Sequence, residues 1–269
     1  MCNSKLENGL VIGQSALDLV AGFSFADLLC SAANKSAYVV LSHVIGEFSA
    51  ISIGDWANGK PEEASKAPHV AHSKAGELVW SSQSDGVSTT PVPELDTSLK
   101  WKGGVRYADN IVAVSHWSQE HDQLLAAIVC FFLNNNCLDL HHFGFSCTQA
   151  EFELLKSTGQ GYFFDGIDQQ RIFLPVENSG LGYGKYYVEY FYNPNEEYEP
   201  SVHWDLVCQC RDDSPCCCCR FLSYITDVTG VESETCEYKE NGPAGGVFIK
   251  DSNGYEMGVM VRSSFWEIK

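Results

Sequence analysis

The sequence predicts an α+β protein with an antiparallel sheet in its N-terminal half and mostly antiparallel β-structure in its C-terminal half. Three observations support this prediction. Apolar residues recur at helical spacing in three segments of residues 10–135, and two pairs of short strand-like segments lie between them. Aromatic strand-like runs dominate from residue 136 onward. The predicted domains are therefore residues 10–135, with the order α-β-β-α-β-β-α, and residues 136–269.

The N-terminal half contains three predicted helices and two predicted hairpins. The helices cover residues 14–33, 62–80 (with a break at Pro68) and 118–133. Ser118 is expected to be the N-cap of the last helix. The hairpins pair residues 38–45 with 48–53 and residues 103–107 with 111–115. Residues 81–99 are rich in Ser, Thr and Pro and are predicted to form a long loop.

The C-terminal half consists of short aromatic runs that are separated by Gly, Asn and Pro. One helix is predicted over residues 148–156, where Thr148 is the N-cap and Glu151 completes a capping box. The predicted strands cover residues 162–164, 171–176, 186–192, 203–210, 216–225, 247–250 and 257–262. The segment Gly180–Gly184 resembles a phosphate loop in composition, but no helix follows it, so a turn is predicted.

Composition restricts the possible partners. The formal net charge is -18, and no run of basic residues occurs. Nucleic acids and anionic membrane surfaces are therefore disfavoured as partners, because both attract clustered Lys and Arg. No signal peptide is visible, and Asp18 and Asp27 interrupt the most apolar N-terminal stretch, so no membrane span is expected. These features predict a soluble, intracellular protein.

Several short motifs of the first half resemble the GlcG family, which includes the haem-binding HbpS proteins and the C-terminal domain of PduO proteins. The motifs are Lys74-Ala75, Gly103-Gly104 and the passage IVAVSHWSQEHD over residues 111–122. The chain departs from the family where Gly76 replaces an Arg and where His116 replaces a Gly. The resemblance implies a profilin-like sheet, frequent homo-oligomers and, in some members, haem or corrinoid-related ligands. It implies no established enzymatic reaction.

Candidate ligand-binding residues lie in the same half. His69 and His72 are spaced i,i+3, share one helical face and could bind a metal ion or ligate haem iron. The further candidates are Lys74, His116, His121 and Asp122. Helix capping explains the acidic residues of this last group equally well. His141 and His142 are adjacent in sequence, and adjacent side chains diverge in a regular strand, so a shared site is not expected there.

Six of the twelve cysteines lie within residues 208–219. If the turn residues 211–215 close a hairpin, Cys208 faces Cys218 and Cys210 faces Cys216 on one side of the ladder. These four thiols could bind zinc, although a flat ladder fits a tetrahedral ion poorly. Reduced, packed thiols are therefore predicted in preference to a zinc site.

No hydrolase, Walker or His-Glu-x-x-His motif occurs in the sequence, and enzymatic activity is not expected. A Cys–His pair from distant segments stays an open alternative. The leading hypothesis is a non-enzymatic module that binds a small ligand, with haem as the candidate. The competing hypothesis is a non-catalytic accessory subunit of a larger assembly, in contact with other protein subunits or with copies of itself.

Overall fold

The chain divides into two compact units that together contain five helices and twelve strands among the described residues. The computed structural model describes residues 12–33, 35–43, 48–53, 61–80, 87–89, 102–115, 117–135, 138–166, 168–178, 184–208, 216–233, 243–262 and 268. The first unit comprises Met1–Cys137 and Ser223–Glu232, and the second comprises Leu138–Leu222 and Ser233–Lys269. The predicted α+β class is confirmed.

The first unit is built on a five-stranded antiparallel sheet. Its elements are α1 (Ile12–Ala32), β1 (Ala37–His43), β2 (Phe48–Ile53), α2 (Pro61–Trp80), β3 (Val87–Thr89), β4 (Gly104–Tyr107), β5 (Asn110–Ser115) and α3 (Gln119–Asn135). The strand order is β2-β1-β5-β4-β3. Both predicted hairpins are present, and the Ser118 hydroxyl caps α3 by accepting the backbone N–H of His121.

Two predictions for this unit are wrong. Helix α2 continues through Pro68 without the expected break, so the missing N–H of proline does not end the helix. The expected loop over residues 81–99 contains a short strand, β3, which pairs with β4. Among the helices in the described parts of the chain, none is both long and apolar enough to cross a membrane.

Helices cover both faces of this sheet, and the central strand β5 is therefore buried along nearly its whole length. On one face Ala71 and Ala75 of α2 pack against Val40, Ile111 and Ala113. Helices α1 and α3 pack against each other and against the sheet. Small residues on α2 allow its backbone to approach the sheet closely.

The second unit contains a seven-stranded mixed sheet. Its elements are β6 (Leu138–Ser146), α4 (Gln149–Ser157), β7 (Tyr162–Asp165), β8 (Gln170–Asn178), β9 (Gly184–Tyr192), β10 (Ser201–Cys208), β11 (Pro243–Lys250) and β12 (Glu256–Arg262). The helix α5 (Cys216–Thr229) begins in this unit, but its residues from Ser223 onward belong to the first unit. The strand order is β11-β12-β10-β6-β9-β8-β7. Strands β6 and β9 are parallel, as are β10 and β12, whereas the other neighbours are antiparallel.

Helix α4 confirms the predicted capping box, in which Thr148 and Glu151 each satisfy the other's backbone N–H. Phe152 of this helix packs against Ile172 and other apolar residues on one face of the sheet. The prediction of a strand over residues 216–225 is wrong, because helix α5 occupies this segment. Its buried residues are Cys218, Phe221, Leu222, Tyr224, Ile225 and Val228, which recur at helical spacing.

A buried ion pair joins α2 to α3 in the first unit. The Lys74 ammonium donates to an Asp122 carboxylate oxygen at 3.1 Å and to the Val114 carbonyl at 2.6 Å. The other Asp122 oxygen accepts the Trp117 backbone N–H at 3.0 Å. Both charged side chains are almost fully buried, at 2% and 4% exposed. Each charge therefore depends on the other for compensation.

We predict that Lys74→Met lowers the free energy of unfolding by about 3–5 kcal/mol, because it leaves the Asp122 carboxylate buried without a cation. The matched control is Lys102→Met, which removes an exposed pair with Glu120 at 3.8 Å and should cost less than about 1 kcal/mol. Urea denaturation of both variants measures the difference. Equal destabilisation of the two variants would contradict this account of the buried pair.

Candidate metal centre

In the second unit, buried polar side chains cluster on one face of the sheet. This face lies opposite α4, and we call it the site face. In the ladder, Glu189 of β9 pairs with Gly144 of β6, and Gly144 pairs on its other side with His203 of β10. One step along the strands, His142 pairs with Asp205. Side chains of directly paired residues project from the same face of a sheet, so these residues converge.

Three ligand-type atoms meet at the centre of the site face. The Oε2 atom of Glu189 lies 3.2 Å from Nε2 of His142 and 3.0 Å from Nε2 of His203. The two Nε2 atoms lie 3.3 Å apart. All three residues are buried, with Glu189 and His142 only 1% exposed. We call His142, Glu189 and His203 the triad.

The Glu189 carboxylate is buried and ionised. Burial alone would raise the pKa of this carboxyl, but the two adjacent imidazoles outweigh burial and hold the pKa well below its ordinary range. Despite these short distances, neither oxygen of Glu189 has a hydrogen-bond partner in acceptable geometry. A buried carboxylate in this situation is costly unless something else compensates its charge.

A β-bulge places His141 beside the triad. Along β6, Leu140 pairs with Leu206 and His142 pairs with Asp205, so His141 is an extra residue in the ladder. As a result His141 and His142 lie side by side, and their Nδ1 atoms are 2.8 Å apart. The expectation that these adjacent side chains diverge is wrong, because it assumed a strand without a bulge.

The contact between the two Nδ1 atoms requires that one ring donates and the other accepts. When His142 donates its Nδ1 proton to His141, its Nε2 presents a lone pair to the centre of the triad. Metal-binding histidines use this arrangement, in which the second ring nitrogen is tied to a neighbouring acceptor. His141 is fully buried and so can hold the ring of His142 in place.

Gly144 provides the space that the triad occupies. A Cβ atom at this position would lie 2.3 Å from Cε1 of His203 and 2.8 Å from Oε2 of Glu189. Both distances are far below van der Waals contact. Glycine is therefore required here by the close approach of two side chains rather than by a special backbone conformation.

Asp205 belongs to a second, internally neutral pair next to the triad. The Nε atom of Arg262 donates to both Asp205 carboxylate oxygens at 2.6 Å, and a terminal guanidinium nitrogen also contacts Oδ2. Asp205 lies 3.8 Å from Nε2 of His142. Because its charge is matched by Arg262, Asp205 is an outer neighbour of the triad rather than a fourth ligand atom.

The triangle formed by the three triad atoms fits a transition-metal ion. Edges of 3.0, 3.2 and 3.3 Å match the ligand–ligand spacing of about 3.0–3.3 Å around an ion whose N and O ligands lie at about 2.0–2.1 Å. His142, Glu189 and His203 would hold such an ion with three protein ligands, which is the number that leaves room for a further ligand. Both histidines and Glu189 form one of the two clusters of metal-type ligands found among the described residues.

The residues predicted from sequence lie elsewhere. His69 and His72 are exposed on α2, and Nε2 of His72 lies 3.4 Å from the Tyr38 hydroxyl. Lys74 and Asp122 meet each other in the buried ion pair, and His121 is buried on α3. His116 lies outside the described residues. Haem binding by this set of residues stays a prediction.

The cysteine hairpin is also corrected. Strand β10 ends at Cys208 and α5 begins at Cys216, so Cys208 and Cys218 do not face each other across a ladder as predicted. Cys210 lies outside the described residues, as does the side chain of Cys216. Cys219 is disulfide-bonded, so the prediction that the cysteines are all reduced is wrong at this position. The ladder on which the four-cysteine zinc site was based is therefore absent between Cys208 and Cys218, and zinc binding by the four cysteines stays a prediction.

Sequence reasoning missed the triad, although a usable signal exists. Strand β6 was not predicted, because two histidines and a glycine interrupt its apolar pattern. His203 and Asp205 are spaced i,i+2 and Glu189 lies in the middle of an aromatic strand. These polar residues occupy core-facing positions of otherwise apolar strands. Because buried charged side chains need partners, such positions indicate a cluster of polar groups in the core.

We predict that Gly144→Ala lowers the free energy of unfolding by about 1–3 kcal/mol, because the added methyl group overlaps His203 and Glu189. The matched control is Gly76→Ala in helix α2, where a Cβ meets nothing within 4 Å. That change should be neutral or should stabilise the helix by up to about 1 kcal/mol. Chemical denaturation tests both, and an unchanged stability of Gly144→Ala would contradict the packing described here.

Comparison with known proteins gives no family assignment. No protein-family model matches this chain, and no curated protein matches it.

Proposed function

We propose that the second unit binds a divalent first-row transition-metal ion through His142, Glu189 and His203. The observation that carries this proposal is the convergence of the three ligand atoms, at 3.0–3.3 Å from one another, around a carboxylate without hydrogen-bond partners. A cation at this point compensates the buried negative charge. An ion held by these three atoms would also contact Oε2 of Glu189 and both Nε2 atoms directly.

The donor set indicates the class of ion. Two imidazoles and one carboxylate suit Zn²⁺, Fe²⁺ and neighbouring first-row ions, whereas Ca²⁺ and Mg²⁺ prefer oxygen donors only. Structural zinc sites use four protein ligands, and sites that bind substrates use three. Because Asp205 is paired with Arg262, the protein supplies three ligands here. The proposed centre is therefore of the open type, which can bind a further molecule.

The surroundings support a preorganised site. His141 orients His142 through the contact between Nδ1 atoms, and the ring of Phe173 meets His142 edge-on with centroids 5.4 Å apart. On the other side, the ring of Phe191 lies 5.4 Å from that of His203. Aromatic packing restricts both imidazoles, and the contact with His141 restricts that of His142 further, which lowers the cost of organising them around an ion.

The metal centre is now the leading functional hypothesis, but it does not exclude the hypotheses that were drawn from the sequence. Haem binding by residues 10–135, a GlcG-family origin with a profilin-like arrangement, and a role as an accessory subunit all stay predictions. None of them is needed for the metal centre, because the triad lies entirely in the second unit. An enzymatic role would require a substrate in addition to the ion.

We predict that chelator-treated protein binds one Zn²⁺ or Co²⁺ per chain in isothermal titration calorimetry. His142→Ala and His203→Ala should each weaken binding by at least about 100-fold, because each removes one of three direct ligands. Glu189→Gln should weaken it strongly as well, since it keeps the size of the side chain but removes the charge.

The matched control is the double variant His69→Ala/His72→Ala, which removes two exposed histidines from the first unit. Its affinity and stoichiometry should equal those of the parent. Circular dichroism checks that each triad variant is folded. Full-strength binding by folded His142→Ala and His203→Ala variants would overturn the proposal, as would a loss of binding only in the control.

A further inference from the structure

On the site face, the exposed fraction of the side chains increases in one direction along the strands. The row that contains Tyr187, His142 and Asp205 is at most 1% exposed. In the next row Glu189 is 1% exposed and His203 is 7% exposed. Access to the triad therefore improves toward the row beyond His203, which contains Phe164, Arg171, Phe191 and Ser146 as directly paired neighbours.

Arg171 stands at this outer row and contacts the triad. One of its terminal nitrogens lies 3.3 Å from Oε1 of Glu189, the oxygen that is turned away from the imidazoles, and 41% of the Arg171 side chain is exposed. Its other terminal nitrogen donates to the Gln169 side chain at 2.5 Å. Arg171 thus has both a contact with the buried Glu189 carboxylate and a surface that faces solvent.

Aromatic rings lie on both sides of Arg171. Phe164 is its ladder partner in β7 and is 36% exposed, and Phe191 is its partner in β9 and lies against the ring of His203. The outer row therefore combines a guanidinium with two apolar surfaces. An arginine in such a setting recognises planar oxyanions, above all carboxylates, because its donors match two oxygens at once.

We propose that the metal centre takes a carboxylate with an apolar body as its ligand. One carboxylate oxygen occupies an open position of the ion, the other accepts from Arg171, and the apolar body lies against Phe164 and Phe191. This inference rests on the proposed metal function. It assigns Arg171 as a binding residue and the outer row as the entrance.

The test uses full-length protein loaded with Co²⁺, whose visible spectrum changes when a ligand joins its coordination sphere. Benzoate is the probe, and benzyl alcohol is the neutral analogue of similar shape. Benzoate should shift the spectrum in a saturable manner, and benzyl alcohol should not. Arg171→Gln should weaken benzoate binding by at least tenfold while Co²⁺ still binds.

Lys156→Gln is the matched control, because it removes one positive charge from α4 on the opposite face of the same sheet. Its affinity for benzoate should equal that of the parent. Equal benzoate affinity in Arg171→Gln, or equal binding of benzyl alcohol, would overturn the carboxylate proposal and leave the metal centre intact. A parent protein that does not bind Co²⁺ would overturn the metal centre itself, so the two failures are distinguishable.

Discussion

The buried carboxylate of Glu189 is the constraint on which the site face depends. An ionised carboxyl group that is 1% exposed must be compensated from within the protein. The neighbouring strands satisfy this need with two imidazoles, and Arg171 contributes a partly exposed positive charge. These neighbours compensate the charge but form no hydrogen bonds with it, because neither carboxylate oxygen has a partner in proper geometry. The proposed metal ion would compensate for these missing hydrogen bonds.

Several otherwise unrelated features follow from this requirement. Gly144 has no side chain because the space above it holds His203 and Glu189. The bulge at His141 turns two consecutive histidines toward one side, where a regular strand would separate them. Arg262 neutralises Asp205, so a second carboxylate can lie near the centre without adding net charge. Each feature is local, but together they bring His142, Glu189 and His203 side by side on three neighbouring central strands of the sheet.

The two units compensate buried charge in different ways. In the first unit, Lys74 and Asp122 form a closed ion pair that uses the backbone of Val114 and Trp117 as additional partners. This pair is complete without any ligand, which explains why family-like motifs around it need not mark a binding site. In the second unit the charges of the triad are open to an ion. Under the proposed function, the first unit uses buried charges for structure and the second uses them to bind an ion.

Elements whose apolar residues follow a single local periodicity were predicted correctly from the sequence. Helix α3 and the hairpin around Asp109 were predicted correctly because their patterns are local. Strand β6 was missed, and α5 was mistaken for a strand, because Cys and aromatic residues suit both structures. The triad could not be predicted as a group, since its members lie on three different strands, one of which, β6, was not predicted. Their convergence depends on sheet order and on one bulge, which no short motif records.

X-ray absorption spectroscopy of the zinc-loaded protein tests the central claim most directly, because it identifies the atoms bound to the ion. The account predicts nitrogen and oxygen neighbours at about 2.0–2.1 Å, with the multiple-scattering pattern of two imidazoles. That pattern should be reduced to one imidazole or lost in His203→Ala. Sulfur neighbours at about 2.3 Å would contradict the account and would place zinc at the cysteines instead.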